Sequence, residues 1–326
     1  MSSNPAKPIA LYRSLADLPA TTRGAVLAIG NFDGVHFGHQ QVIADARALA
    51  EAKDAPLGVM LFDPHPQQFF APDAPPFRLT RLVTRAALLA KLGVDFTLAL
   101  PFNAEMAACE AEDFISDILV AQLGVSAVCV GYDFCFGKGR KGNFAMLQDV
   151  AKTLDADKSF ETHATQAVLQ PDSTSPFSSS AIRNFLRDGD PEQAAKLMGH
   201  AFAIEAEVQH GDQRGRTIGF ATANMPLDDY VLPIFGVYAV RAEILDGAFA
   251  EQVLRGVANL GMRPTVGTDK PRLESHFFDF EGDLYGANLR VSLLHFIRPE
   301  QKFDGLDALK NQIAIDSDQA REMLGS

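Results

Sequence analysis

The sequence predicts an α/β domain followed by an all-β domain. The first is an amino-terminal doubly wound parallel sheet; the second is a carboxyl-terminal closed antiparallel β-barrel with a terminal helix. Three observations predict this. Between residues 25 and 134, short apolar runs alternate with stretches of helical period. Near residues 170–190 the chain turns polar and rich in Ser and Pro. From Ala201 onward the segments are short, and several alternate apolar and polar residues. A single core seldom serves more than roughly 250–300 residues, so a chain of 326 residues is expected to hold two domains. We place them at 1–186 and 187–326.

In the first domain "AVLAIGNF" is an apolar run ending in a glycine turn, and "HQQVIADARALAEAK" follows with Val42, Ile43, Ala46, Leu49 and Ala50 on one helical face. "PLGVMLFDPHP" is a second apolar run, stopped by prolines. "RLVTRAALLAKLG" reads as helix, "VDFTLALPF" as strand, "AEDFISDILVAQLG" as helix and "VSAVCVGYDF" as a buried strand. Apolar runs without strict alternation, separated by helices, are the pattern of a parallel sheet covered on both faces. Ligands bind such sheets at the carboxyl ends of the strands. "QPDSTSPFSSS" is a loop; "SSAIRNFLRDGD" is a helix with a serine cap and a glycine stop, and "PEQAAKLMG" a further short helix. "AFAIEAEVQH", "IFGVYAVRAEIL", "EQVLRGVANLG", "RLESHFFDF" and "NLRVSLLHFI" then supply the strands of a compact β-domain. "FDGLDALKNQIAIDSDQAREML" closes the chain as a helix.

Composition excludes several functions. The formal net charge is −12, so general nucleic-acid binding, which needs clustered Lys and Arg, is not expected. Any phosphate site must be local, built from backbone N–H groups, a metal and a few cations. Cys109, Cys129 and Cys135 form no CxxC pair, which argues against a disulfide framework or a zinc ribbon. The opening "MSSNPAKPIALYRSL" lacks the apolar core and cleavage site of a signal peptide. No apolar stretch reaches the roughly 18–20 residues of a membrane helix. A soluble cytoplasmic protein without membrane partners is expected.

The segment "GNFDGVHFGH", Gly30 to His39, joins the first predicted strand to the first predicted helix. A glycine turn opening a helix is an anion site by geometry, because free N–H groups and the positive end of the helix dipole face it. The segment has neither the dinucleotide fingerprint nor the P-loop pattern. It offers His36 and His39 instead, three apart and so on one helical face. They could stabilise charge at a phosphorus centre, cap and pack the helix, or bind a metal, although no third ligand lies nearby in sequence. The residues alone leave these readings open.

"GNFDGVHFGH" resembles the signature of the cytidylyltransferase-like nucleotidyltransferases, in which HxGH sits at the first strand–helix turn. With Phe32, Asp33 and Gly34 ahead of the first histidine, it resembles the amino-terminal module of the bacterial bifunctional riboflavin kinase/FAD synthetase family. "LFDPHPQQFF", with Pro64, His65 and Pro66, is similar to that module's FxPHP segment. "VGYDFCFGKGRKGN", with Gly131, Asp133, Phe134, Phe136 and Gly137, is similar to its VGxDFxFG segment, and "FSSSAIRNFL" to its ISSTxIR segment. The serines can also be read as an ordinary helix cap, while the resemblance makes Ser179, Ser180 and Arg183 holders of triphosphate oxygens. Ser180 stands where threonine is usual.

"GDQRGRTIGFATANM", Gly211 to Met225, resembles the flavokinase signature, with Ala221 in place of its usual proline. As plain sequence it is either a hairpin loop with solvated arginines or a glycine loop that approaches phosphate closely. Thr222 and Asn224 offer neutral oxygens suited to a hard ion such as Mg²⁺. "LPIFGVYAVRA", "GVANLGMRPTVG" and "LESHFFDFEGDLYG" follow in the order of the family's kinase module, and the resemblance makes Glu274 the general base.

The resemblance implies a two-step transferase of flavin biosynthesis. The barrel would phosphorylate riboflavin to FMN, and the α/β domain would join FMN to AMP, giving FAD and pyrophosphate. Its implied catalytic residues are His36, His39, Glu274 and Arg183. Gly30, Phe32, Asp33, Gly38, Asp133, Ser179 and Ser180 would bind the ATP of adenylyl transfer, and Pro64, His65 and Phe134 the flavin. Gly211, Gly215, Arg216, Gly219, Thr222 and Asn224 would bind the ATP of the kinase step, with Mg²⁺ at Thr222 and Asn224. The partners are ATP, riboflavin and FMN; a homo-oligomer is left open. The rivals are a nucleotidyltransferase for another small phosphorylated substrate with a non-catalytic barrel, and a flavin-binding protein without turnover.

Overall fold

The computed structural model describes residues 10–171, 173–210, 222–263 and 270–325. They form two compact units with boundaries after Ala74, after Arg81 and after Phe177; the segment Pro75–Arg81 belongs with the carboxyl-terminal unit.

The first unit contains β1 (Leu11–Tyr12), β2 (Val26–Ile29), β3 (Leu57–Asp63), β4 (Phe96–Pro101), β5 (Ala127–Gly131), a small hairpin of β6 (Cys135–Phe136) and β7 (Gly142–Asn143), and β8 (Glu161–Thr165). Six of these form one sheet in the order β1-β4-β3-β2-β5-β8, with every pairing parallel. Its helices are α1 (Phe37–Lys53), α2 (Pro66–Phe70), α3 (Leu82–Lys91), α4 (Ala104–Ala108), α5 (Ala111–Asp113) and α6 (Phe144–Thr153). Alternate residues of β2 serve opposite faces. Leu27 and Ile29 join a core with Phe114, Ile118 and Val130, while Val26 and Ala28 join one with Ile43, Ala46 and Leu89. Two buried faces explain why the strands read as continuous apolar runs.

Two features differ from the sequence expectation. The "AEDFISDILVAQLG" segment makes one α-turn and then widens into a π-helix over Phe114–Leu123. The edge strand β8, "ETHAT", has no apolar run to announce it. It is held by polar contacts instead: Asp45 on α1 accepts hydrogen bonds from Thr165 Oγ1 at 2.6 Å and pairs with His163 Nε2 at 3.1 Å. Burial works to raise the Asp45 carboxyl, but the Thr165, Gln41 and His163 contacts overcome it and hold its pKa below the usual value.

The second unit opens with α7 (Ser179–Arg187) and α8 (Pro191–Met198). Then come β9 (Ala203–Glu207), β10 (Ala223–Pro226), β11 (Gly236–Ile244), β12 (Val253–Arg263), β13 (Lys270–Phe277) and β14 (Asn288–Pro299). The antiparallel order is β10-β13-β12-β11-β14-β9. Gln209, just beyond β9, bridges Asn224 on β10 through a 2.8 Å N–H···O bond, so the sheet is a nearly closed barrel. The last helix, α9 (Leu306–Leu324), covers Val237, Ala239 and Val257 with Ala320. It is clamped by a two-point Arg298–Asp316 pair at 2.9 and 2.6 Å.

No described helix is long and apolar enough to cross a membrane. The three cysteines are free. Cys129 lies within β5, and burial pushes its thiol up to about 12; Cys135 is exposed on β6. In native protein, iodoacetamide is therefore expected to modify Cys135 first and Cys129 last, read by peptide mass spectrometry. Equal rates would contradict this packing.

Candidate functional site

In the parallel sheet, β3, β4 and β1 lie to one side of β2, and β5 and β8 to the other. The strand order reverses at β2, which makes the carboxyl ends of β2 and β5 the switch point where ligands bind. The sequence puts "GNFDGVHFGH" directly after β2, "GYDF" directly after β5 and Pro64–His65 directly after β3. The residues Gly30, Phe32, Asp33, His36, Gly38, His39, Pro64, His65, Asp133 and Phe134 thus stand at one edge of one sheet.

The turn after β2 is tightly wound. Phe32, Gly34 and Val35 have φ of 50°, 83° and 43°. Left-handed backbone is uncommon for a non-glycine residue and an outlier for a β-branched one. The turn delivers His36 to the N-cap of α1, 5% exposed, where its Nδ1 accepts the His39 N–H at 3.3 Å. A ring nitrogen that accepts carries no proton, so the neutral His36 ring holds its hydrogen on Nε2. The two imidazoles stack with centroids 3.6 Å apart and planes 17° apart, and Phe32 meets His39 edge-on at 5.3 Å. A Cβ at position 38 would sit 3.1 Å from the His36 ring, so the glycine of HxGH lets the imidazole lie against the backbone. Two stacked imidazoles at the positive end of a 17-residue helix are an arrangement that can stabilise an anion.

Beside β3, His65 repeats the device: it caps α2, with Nδ1 accepting the Gln67 N–H at 3.1 Å. The Asp63–Pro64 peptide is cis. An aromatic run links this edge to the β5 edge. Phe62 meets Phe102 at 5.6 Å and Phe114 at 6.4 Å, Phe114 meets Phe136 at 5.4 Å, and Phe136 stacks on Phe134 at 5.4 Å. Phe114 and Phe136 are buried in the core, whereas Phe62, Phe102 and Phe134 keep partly exposed faces of the kind that suit a flat ring system. Sequence reading selected Phe134 but not Phe62, Phe102 or Phe114, whose spacing reads as ordinary core.

Ser179, Ser180 and Arg183 stand on α7, in the second unit. Ser178, not Ser179, is the cap: its Oγ accepts the Ala181 N–H at 3.2 Å. Arg183 donates from Nε to the Phe77 carbonyl at 2.6 Å, with its guanidinium 5.2 Å from the centre of the Phe77 ring.

In the barrel, Gly211, Gly215, Arg216, Gly219 and Ala221 lie outside the described residues. Thr222 and Asn224 lie within them. Asn224 pairs with Glu274 across β10 and β13, and Glu274 pairs with Asn259 across β13 and β12. Directly opposed residues share a face, so the three form a row. Asn224 is 4% exposed; its Nδ2 donates to the Thr222 carbonyl at 3.4 Å, while its buried Oδ1 has no hydrogen-bond partner among the described residues. A buried oxygen without a donor fits a hard cation. No group of three or more His, Cys, Asp or Glu among the described residues could hold a metal ion. The Asn224 oxygen, with Thr222 two residues before it, fits a hard ion such as Mg²⁺. Asn259, to which sequence reading gave no role, donates to Glu300 Oε1 at 3.2 Å beside the row.

The match to known proteins follows the same division. The family model for FAD synthetase matches residues 18–179, and that for riboflavin kinase matches residues 198–324. A bifunctional riboflavin kinase/FMN adenylyltransferase of Escherichia coli (strain K12) is 45% identical over 316 residues, covering 97% of this chain and 98% of the relative. One of Bacillus subtilis (strain 168) is 38% identical over 301 residues, 91% of each chain. A crystal structure from Streptococcus pneumoniae, described as a macrolide-efflux protein, superposes with a TM-score of 0.80 at 30% identity, over 95% of this chain and 98% of its own. The stacked histidines of one module and the Asn224–Glu274 row of the other thus fall within separate family matches. Relatives that span both over nearly their whole length show that the chain belongs to the bifunctional riboflavin kinase/FMN adenylyltransferase family.

Proposed function

We propose that the chain makes FAD from riboflavin in two ATP-dependent steps, one in each module. In the barrel, Glu274 takes the proton of the riboflavin 5′-hydroxyl as its oxygen attacks the γ-phosphorus of ATP, and ADP leaves with FMN formed. Thr222 and Asn224 hold the nucleotide phosphates together with Mg²⁺, which supplies charge neutralisation when bound. In the α/β module, a phosphate oxygen of FMN attacks the α-phosphorus of a second ATP and pyrophosphate leaves. His36, through Nε2–H, and His39 stabilise the charge that builds on the α-phosphate. Gly30, Phe32, Gly38, Asp133, Ser179, Ser180 and Arg183 place that ATP, and Pro64, His65 and Phe134 place the flavin. The functional division is read at 186/187. The net charge of −12 disfavours nucleic acid as a partner; the substrates are read as small molecules, with no membrane partner, and the compartment as the cytoplasm.

The observation that carries the reading is the stacked His36–His39 pair at the switch point of the parallel sheet. We read it as a site for phosphorus chemistry in a chain that also presents the Asn224–Glu274–Asn259 row on a barrel. The test is direct. Protein incubated with riboflavin, ATP and Mg²⁺ is expected to yield FMN and then FAD by chromatography, with one ADP per FMN and one pyrophosphate per FAD. Formation of neither flavin nucleotide would end the reading.

A further inference from the structure

We propose that Arg85 is the positioning residue of the adenylyl-transfer site, gripping the His36–His39 turn at two points from a separate helix; the proposal rests on the reading that the amino-terminal module transfers AMP to FMN. Arg85 lies on α3, on the apolar face formed by Leu82, Ala86 and Leu89, and is 4% exposed. Its Nη1 donates to the Asn31 carbonyl at 2.8 Å, and its Nη2 to Asp33 Oδ1 at 3.1 Å; Asp33 is 3% exposed. The two acceptors flank Phe32, the first residue of the turn with positive φ.

Strained backbone persists only where its surroundings over-determine it. Around this turn, Gly30 N–H donates to the Met60 carbonyl at 3.1 Å, Val35 N–H to the Phe32 carbonyl at 3.1 Å, and Gln40 Nε2 to the Val35 carbonyl at 2.9 Å. These tie the turn to β3, to itself and to α1. Arg85 ties it to α3, whose Leu82, Ala86 and Leu89 are buried in the sheet's core. The planar guanidinium suits this task, because its fork meets a carbonyl and a carboxylate together; an ammonium is a point donor. The charge of Arg85 is paired with that of Asp33, and both side chains are buried. What Arg85 controls is position. His36 follows the turn as the cap of α1, its Nδ1 bonded to the His39 N–H and its ring stacked 3.6 Å from His39. A shift of the turn therefore moves both imidazoles together, away from the reacting phosphorus.

A positioning role predicts loss of turnover more than of substrate binding. The experiment uses the full chain and the variants Arg85→Lys and Arg85→Met. It measures kcat and KM for FAD formation from supplied FMN and ATP, and riboflavin phosphorylation in the same samples. Arg85→Lys keeps the charge and separates the fork geometry from ion pairing. For both variants, kcat for FAD formation is expected to fall about tenfold to a hundredfold. KM for ATP should stay within about threefold, and phosphorylation should keep its wild-type rate. Should Arg85→Met fail to fold, Arg85→Lys decides. Wild-type kcat in Arg85→Lys would overturn the proposal. So would a change confined to the KM for ATP, or a parallel loss of phosphorylation. Failure of the underlying reading is distinguishable, because it would appear in the unsubstituted chain as FMN without FAD.

Discussion

His36→Ala is expected to abolish FAD formation while riboflavin still becomes FMN at the wild-type rate. The expectation comes from one hydrogen bond. Because His36 Nδ1 accepts the His39 N–H, its Nε2–H is the donor, fixed by the helix that it caps. Removing one such preorganised donor from a charge-building centre costs about 10²–10³ in rate. The change also removes the ring stacked on His39, which deepens the effect. The same change removes a helix cap, worth about 1 kcal/mol, so stability and catalysis must be separated. His36→Asn separates them, because asparagine is among the best capping residues yet cannot reproduce the imidazole donor. It should melt like the wild type and still make no FAD. Recovery of FAD synthesis in His36→Asn would mean that the histidine is only a cap.

Glu274→Gln should give the mirror image: no FMN from riboflavin, but normal FAD from supplied FMN. Glutamine keeps the shape of the side chain in its row between Asn224 and Asn259 and removes only the ability to take a proton. A general base is worth about 10²–10⁴ in rate, and a loss of that size without a change in melting is the expected result. Loss of both reactions in folded Glu274→Gln would break the division of labour between the modules.

Much of this was legible in the sequence. The strand–helix alternation of the first module follows from burying both faces of a parallel sheet, and the sequence shows it as continuous apolar runs. The β8 strand was not legible, because its place is set by Asp45 contacts to His163 and Thr165 that are 118 and 120 residues distant in the chain. The widening of the Phe114–Leu123 helix was not legible either, since its residues would serve an α-helix equally well.

The sites divide in the same manner. By itself the sequence determined that two glycine-containing motifs lie in two modules; their resemblance to the family's signatures, not their spacing, assigned them to phosphate. Tertiary structure decided what those residues face. It put the β2 and β5 loops at one switch point, fixed the protonated nitrogen of His36 and joined Phe62, Phe114, Phe136 and Phe134 into one aromatic run through the core. It set Asn224 opposite Glu274, 50 residues on in the numbering, and Arg85 against a turn 52 residues before it. The physical reason is the same throughout. Local spacing fixes which groups share a strand end or a helix face, whereas partners brought together by sheet register and core packing leave no periodic trace in the chain.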